Sequence, residues 1–218
     1  MTSPSPSSSS SPLYSFTVSI QKEIAKRVIA KDSFDMEIKH VCGADVSYKD
    51  NIAYCSAVVI NKNTLRLIES VNTKDAVKHP YIPGLLMLRE FEPIMNTLKL
   101  LKGHFELLLI DGHGQLHPRR GGLACYIGVI LNKPTIGVAK SLLCGSLRGD
   151  QFVELNREIL GFRIKKEGMK KQIYVSVGHK ISLDSAIKIV KQLVKNGEWM
   201  PEPLRIADIN SKNYFNFA

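Results

Sequence analysis

Apolar residues return every three or four positions through LLMLREFEPIMNTLKLL, from Leu85 to Leu101, and that period predicts an amphipathic helix. Leu88, Phe91, Met95 and Leu98 form its stripe, widened by Leu86, Met87, Ile94 and Leu101, while Arg89, Glu92, Asn96 and Lys99 form the wet face. Helical spacing also runs from about Thr17 to Lys31, with Ile20, Ile24, Val28 and Ile29 on one side and Lys22, Lys26 and Arg27 on another. Between these helices lie three stretches of strand character, 38–48, 52–61 and 65–72, divided by the breakers KDN and KNT. Connections that short imply an antiparallel meander. Farther along, FELLLIDG (105–112) reads as a buried strand, Gly121 to Leu131 as a helix, PTIGVAK as a short strand and 150–160 as a helical segment. RIKKEG and KKQIYVSVG then read as a basic hairpin. The next helix is well marked: Ser182 suits the N-cap, Asp184 the positive end, and Leu183, Ala186, Ile187, Val190, Leu193 and Val194 make an apolar stripe. From Met200 the chain shows no strong pattern. Hairpin strands first, then alternating helices and strands, predict an α/β fold with a mixed central β-sheet flanked by α-helices.

Composition narrows the setting. The 218 residues, 44% of them hydrophobic, suit one domain over 13–218, preceded at 1–12 by MTSPSPSSSSSP, which is too rich in Ser and Pro to bury anything and is expected to be disordered. A formal charge of +10 favours a polyanionic partner, with nucleic acid foremost. No apolar run approaches the roughly 18 to 20 residues of a spanning helix, and no secretory signal pattern opens the chain, so an intracellular protein without a membrane partner is expected. Cys42, Cys55, Cys125 and Cys144 are widely spaced without zinc-type pairing and read as reduced thiols.

Three carboxylates carry the chemistry. Glu90 lies one turn from Leu86, Met87 and Ile94, on or beside the apolar side of its helix, where an unpaired charge is costly and a cation is needed. That cation can be an Arg, a Lys or a shared metal ion. Asp45 interrupts a strand on the same side as Val41, Gly43 and Ser47, which fits either an edge strand or a ligand. Asp111 ends LLLI before Gly112, as an ordinary Asp-Gly turn would, yet sites in open α/β sheets cluster at the carboxyl ends of strands. Drawn together, the three would hold a hard divalent cation through oxygen, an arrangement suited to phosphodiester hydrolysis.

The neighbouring loops add candidates. HPYIPG places Pro80 and Pro83 around Tyr81 and Ile82, either as a stiff helix entry or as a wedge that separates bases. DGHGQLHPRRGG offers backbone N–H groups at its glycines, with His113 and His117 beside them, and Arg119 and Arg120 suited to phosphate. Lys140 would emerge at a strand end, and His179, beside Gly178, is either structural or a proton relay.

The order GADVSY, PYIPGLLMLRE, LLIDGHGQLHPRRGG, PTIGVAKS and SVGHKISLDSA resembles the endonuclease V family, a branch of the ribonuclease H-like nucleases, from about residue 15 to 210. The resemblance implies metal-binding roles for Asp45, Glu90 and Asp111, further active-site roles for Lys140 and His179, and a wedge at Pro80, Tyr81, Ile82 and Pro83. It implies a hypoxanthine pocket at Gly84, Gly112, Leu123 and Gly137, where backbone groups match a carbonyl and a ring N–H. His117, Arg119 and Arg120 complete the expected nucleic-acid contacts. The implied activity is Mg²⁺-dependent (Mn²⁺ substituting) cleavage of the second phosphodiester bond 3′ to inosine, leaving 3′-hydroxyl and 5′-phosphate ends. The serine-rich tail and CGSLRGDQF depart from the shorter microbial pattern and ADINSKNYF looks like eukaryotic members, which points to single-stranded RNA as substrate, cut by a monomer in the cytoplasm or nucleus, nucleolus included. The alternatives are a deoxyinosine DNA repair nuclease and a non-catalytic binder of modified RNA.

Overall fold

Strand β1 (His40–Lys49) is apolar on both sides, with Val41 packing into one core and Cys42 and Ala44 into the other, so it takes an interior place in the sheet. The computed structural model describes residues 12–34 and 37–217. All but one of the tail residues, Pro12, fall outside that range. β1 turns at Asp50 and Asn51, both with positive φ (50° and 59°), the left-handed geometry that Asp and Asn tolerate in a two-residue hairpin, and pairs antiparallel with β2 (Ile52–Asn61). β3 (Leu67–Ala76) continues the meander. On the other side of β1 come β4 (Leu107–Asp111) and then β5 (Thr135–Ala139), both parallel to it. β9 (Gln172–His179) runs antiparallel to β5 and is followed outward by β8 (Glu158–Lys165), β7 (Phe152–Leu155) and β6 (Ser146–Arg148). The order is β3-β2-β1-β4-β5-β9-β8-β7-β6.

Helices close both faces, as expected. α2 (Met87–Leu98) and α3 (Leu123–Leu131) cover one, where Met87, Ile94, Leu98, Leu123 and Ile127 pack on Cys55, Ala57, Leu108 and Ile110. α4 (Leu183–Leu193) and α5 (Glu202–Phe217) cover the other, with Val190, Leu193, Leu204 and Ala207 against Val58, Leu109, Val138 and Val175. α1 (Pro12–Arg27) lies outside α3, joined through Ile24, Cys125 and Val129. Among the described residues no helix is long and apolar enough to cross a membrane. The cysteines are free thiols, three of them buried and Cys144 half-buried.

Three readings of the sequence need correction. The expected helix at 150–160 is a hairpin of β7 and β8, turned at Asn156 and Arg157 with φ of 53° and 65°, and Phe152 meets Phe162 edge-on across it at 5.3 Å. α1 begins earlier than expected and stops at Arg27, short of Lys31; two residues past its end the Ile29 N–H donates to His179 Nδ1 (3.3 Å). The stretch after Met200 is the helix α5.

Candidate active site

β1 and β4 run in parallel with Val41 opposite Leu107 and Ala44 opposite Ile110, so Asp45 and Asp111, each one step farther on, come side by side at the carboxyl ends. Side-chain alternation puts both on the α5 side of the sheet. α5 approaches closely because β1 carries glycine at position 43: a Cβ there would stand 2.6 Å from the Pro203 carbonyl carbon and 2.8 Å from the Leu204 nitrogen. Leu204, Ala207 and Ser211 form the fully buried stripe of α5, and Asp208 follows Leu204 by one turn. One carboxylate oxygen from each of Asp45, Asp111 and Asp208 lies within 4.8 Å of the other two. Ser211 Oγ donates to Asp45 Oδ2 (3.0 Å) and can accept from Ser47 Oγ (2.7 Å).

Lys140, just past β5, binds this group. Its Nζ is 2.6 Å from Asp111 Oδ2, 2.8 Å from Asp208 Oδ1 and 3.8 Å from Asp45 Oδ1. Burial drives the Asp45 carboxyl well above the usual carboxylate range, aided by its hydrogen bond with Asp111 and by the charges of Asp111 and Asp208, against the opposing pull of Lys140. Burial also acts to raise Asp208, but hydrogen bonds from Lys140 and Lys212 outweigh it and hold the group below its ordinary value. For Lys140, burial alone would lower the ammonium's pKa; the charges of Asp111 and Asp45 reverse that and raise it.

Glu90 faces the same cleft from α2, buried as its helical phase predicted. It stands outside the set of three converging carboxylates. Its Oε1 accepts from Tyr48 Oη (3.2 Å), and Arg89 lies over the Tyr48 ring at 3.8 Å. Burial first, and the charge of Asp111 second, push Glu90 up to about 8.

Asp45, Glu90 and Asp111 open into a cleft of about 290 Å³ whose walls include Tyr81, Gly84, Gly112, His117 and Leu123. Tyr81 is 56% exposed at the tip of the proline-framed loop. At its base Gly84, with φ +77°, presents a carbonyl that accepts from Gln21 Nε2 (2.9 Å), His117 Nε2 (3.1 Å) and Arg119 Nη2 (2.7 Å). His117 Nδ1 accepts the Arg119 N–H (3.2 Å), and burial, with the Arg119 charge, lowers His117 to about 4; the ring is neutral and carries its proton on Nε2. Gly137 lies behind the cleft wall, where a Cβ would stand 2.4 Å from the Gly114 nitrogen, so its bare backbone lets the glycine loop sit against β5.

Several expected positions have other work. Arg119 does not reach outward for phosphate: Nε binds Gln21 Oε1 (2.6 Å) and Nη2 the Gly84 carbonyl, because a guanidinium can satisfy both at once. Arg120 is paired at the surface with Glu158 (2.6 Å). His179 is opposite Thr135, the first residue of β5, whereas Asp111 is opposite Val138 near its last, so His179 stands at the other end of the strand from the acids. There it accepts the Ile29 N–H and packs beside Gly128. Asp208 is the acid the sequence reading missed. Its signal was the Leu204, Ala207, Ser211 spacing after Pro201, weakened by the polar Ser at the last position.

Three carboxylates at this spacing form an all-oxygen donor set, the kind that suits a small hard divalent cation, and the burial and neighbouring negative charge that push the Asp45 carboxyl upward are what such a cation would offset. The chain matches the family model for Endonuclease V over residues 22–209. It is 40% identical to Endonuclease V of Thermofilum pendens, over 89% of this chain and 85% of that protein, and 37% identical to that of Dictyoglomus thermophilum, over 94% and 92%. Its structure is similar to Ciona intestinalis Endonuclease V in complex with DNA containing an inosine followed by a ribo-adenosine (TM-score 0.86, 30% identity, 94% of this chain and 99% of that one). It is also similar to the catalytic domain of human Endonuclease V (TM-score 0.84, 26% identity, 94% and 96%). With the acids at the carboxyl ends of parallel strands and this likeness along nearly its whole length, the chain belongs to the endonuclease V family.

Proposed function

We propose that this protein is a Mg²⁺-dependent endonuclease, with Mn²⁺ able to substitute, that recognises inosine in single-stranded RNA. It hydrolyses the second phosphodiester bond on the 3′ side, leaving 3′-hydroxyl and 5′-phosphate ends. The observation that carries this reading is the convergence of Asp45, Asp111 and Asp208, with Asp45 and Asp111 opening directly into a cleft walled by Gly84, Gly112 and Leu123. Asp45, Asp111 and Asp208 would hold the cation, with Glu90 on the opposite wall as a further candidate ligand. A divalent ion bound there would activate water and neutralise charge on the scissile phosphate. Lys140, bridging Asp111 and Asp208, is placed to pair with a phosphate oxygen once a cation neutralises the acids.

Tyr81 supplies the exposed ring that fills the gap left by a displaced base. Gly84 holds the cleft wall in one position because its carbonyl has three side-chain donors, and a rigid backbone discriminates a carbonyl and ring N–H from the adenine pattern. The enzyme would act as a monomer in the cytoplasm or nucleus. The RNA preference rests on the departure from the shorter microbial pattern at 144–152 and the eukaryote-like segment at 207–215, while a deoxyinosine-directed reading rests on the DNA in the similar Ciona complex. Matched single strands of RNA and DNA bearing inosine or adenosine, incubated with Mg²⁺ or with chelator, decide the matter. Cutting confined to inosine-bearing RNA and abolished by chelator is expected. Equal cutting of inosine and adenosine strands would refute base recognition, and preferential cutting of DNA would make the second reading the correct one. Loss of cutting with binding retained in Asp45→Ala would exclude a purely non-catalytic binder.

A further inference from the structure

A second groove, of about 460 Å³, begins where the base cleft ends. Lys140 and Asp208 border it, and Lys140 lines the base cleft as well, so the acidic centre is the saddle between the two. The groove's own walls are cationic and aromatic: Lys170, Lys171, Lys212 and Trp199. Lys212 is 55% exposed and reaches Asp208 Oδ2 at 2.7 Å, and Lys171 Nζ lies 4.9 Å from the Trp199 ring centre. The turn that carries Lys170 and Lys171 is tied down, since Lys166 Nζ donates to the Lys195 carbonyl beyond α4 (2.8 Å). A neighbouring depression on the same turn is lined by Lys165, Lys166 and Lys170, which extends the positive surface outward.

We infer that this groove is the track for the nucleic-acid segment on the 3′ side of the cut, with Lys170, Lys171 and Lys212 on its phosphates and Trp199 stacked on a base. The inference rests on the proposed function: if the base enters the first cleft and the scissile phosphate lies over the aspartates, the segment beyond the cut leaves on their far side, into the groove. Ammonium groups along one wall suit a phosphate backbone of any sequence, and an indole beside them suits any base face. A base arriving on Trp199 displaces Lys171 from the ring and releases its charge to the backbone. The groove would therefore add affinity without adding base specificity, which remains with the first cleft.

The test compares kcat/KM in Mg²⁺ for two inosine-bearing RNAs, one ending two nucleotides after the cut and one continuing for eight. The wild type is expected to prefer the longer by on the order of ten-fold. Lys170→Ala combined with Lys171→Ala, and separately Trp199→Phe as the conservative and Trp199→Ala as the severe change at the ring, reports the groove's share. The lysine variant and Trp199→Ala should handle the long RNA no better than the short one, while Trp199→Phe keeps most of the preference. The salt dependence of binding to the long RNA should fall by about 0.7 for each lysine–phosphate pair removed. Because Trp199 is the chain's sole tryptophan, its fluorescence gives an independent readout: quenching by the long RNA in chelator and none by the short one. Equal cutting of both RNAs by the wild type, or equal loss on both in the lysine variant, would overturn the track. Failure to cut any inosine-bearing strand would instead overturn the proposed function beneath it.

Discussion

Glu90→Gln replaces a titrating carboxyl by a neutral amide and keeps the shape and the acceptor that Tyr48 uses, so its effect on the metal-free protein isolates the cost of placing an acid where burial resists its ionisation. In the folded protein Glu90 is raised from 4.5 to about 8, chiefly by burial. Below pH 4.5 the carboxyl is protonated in both folded and unfolded chains and costs nothing. Above that point the unfolded chain gives up the proton and the folded one holds it, so stability falls as pH rises, until the folded group also ionises near pH 8. The penalty works out at about 1 kcal/mol at pH 5, about 3 kcal/mol at pH 7 and about 5 kcal/mol at pH 9. Glu90→Gln should therefore be more stable than wild type in chelator, by a margin that grows over this range, while losing cleavage. Urea denaturation of both proteins at the three pH values, with slopes compared to confirm similar unfolding, reads this directly. A margin that is flat with pH, or a variant less stable than wild type at pH 7, would refute the placement of Glu90 in a desolvated wall.

Gly43→Ala should push α5 off the sheet, since the added methyl meets the Pro203 and Leu204 backbone at under 3 Å; a stability loss of about 1–3 kcal/mol by denaturation and a disproportionate loss of cleavage are expected. Arg119→Ala releases the Gly84 carbonyl and Gln21, costing about 1.5–3 kcal/mol, and should erode discrimination of inosine from adenosine more than it changes the salt dependence of binding; a reduced salt slope would restore the phosphate role. His179→Ala leaves the Ile29 N–H without its acceptor, costing about 1–3 kcal/mol, with kcat on inosine-bearing RNA unchanged. A large fall in kcat would return His179 to the catalytic group.

How legible all this was varied with how local the signal is. Alternation marked β1 and correctly put Asp45 on the side of Gly43 and Ser47, and helical phase correctly turned Glu90 inward, because both follow from backbone geometry within one element. The hairpin at Asn156 was hidden because FVELNREIL satisfies either period; what settles it is pairing at the sheet edge and a left-handed turn. α5 was hidden by the polar residues that the site itself requires: Asp208 and Ser211 occupy the face where hydrophobes would have revealed a helix. Arg119 and His179 carried the residue types of a site, but only the tertiary contacts to Gly84 and Ile29 disclose what they hold.

Asp45 and Asp111 at the carboxyl ends of β1 and β4 and Asp208 on α5 would act as one cation-binding group. Crystals grown with Mn²⁺ and measured at its absorption edge test this most directly. An anomalous peak bonded to oxygens of all three aspartates, with Lys140 withdrawn from at least one of them, is the result predicted. A peak held without Asp208, or no peak within the cleft at Mn²⁺ concentrations that support cleavage, would contradict it.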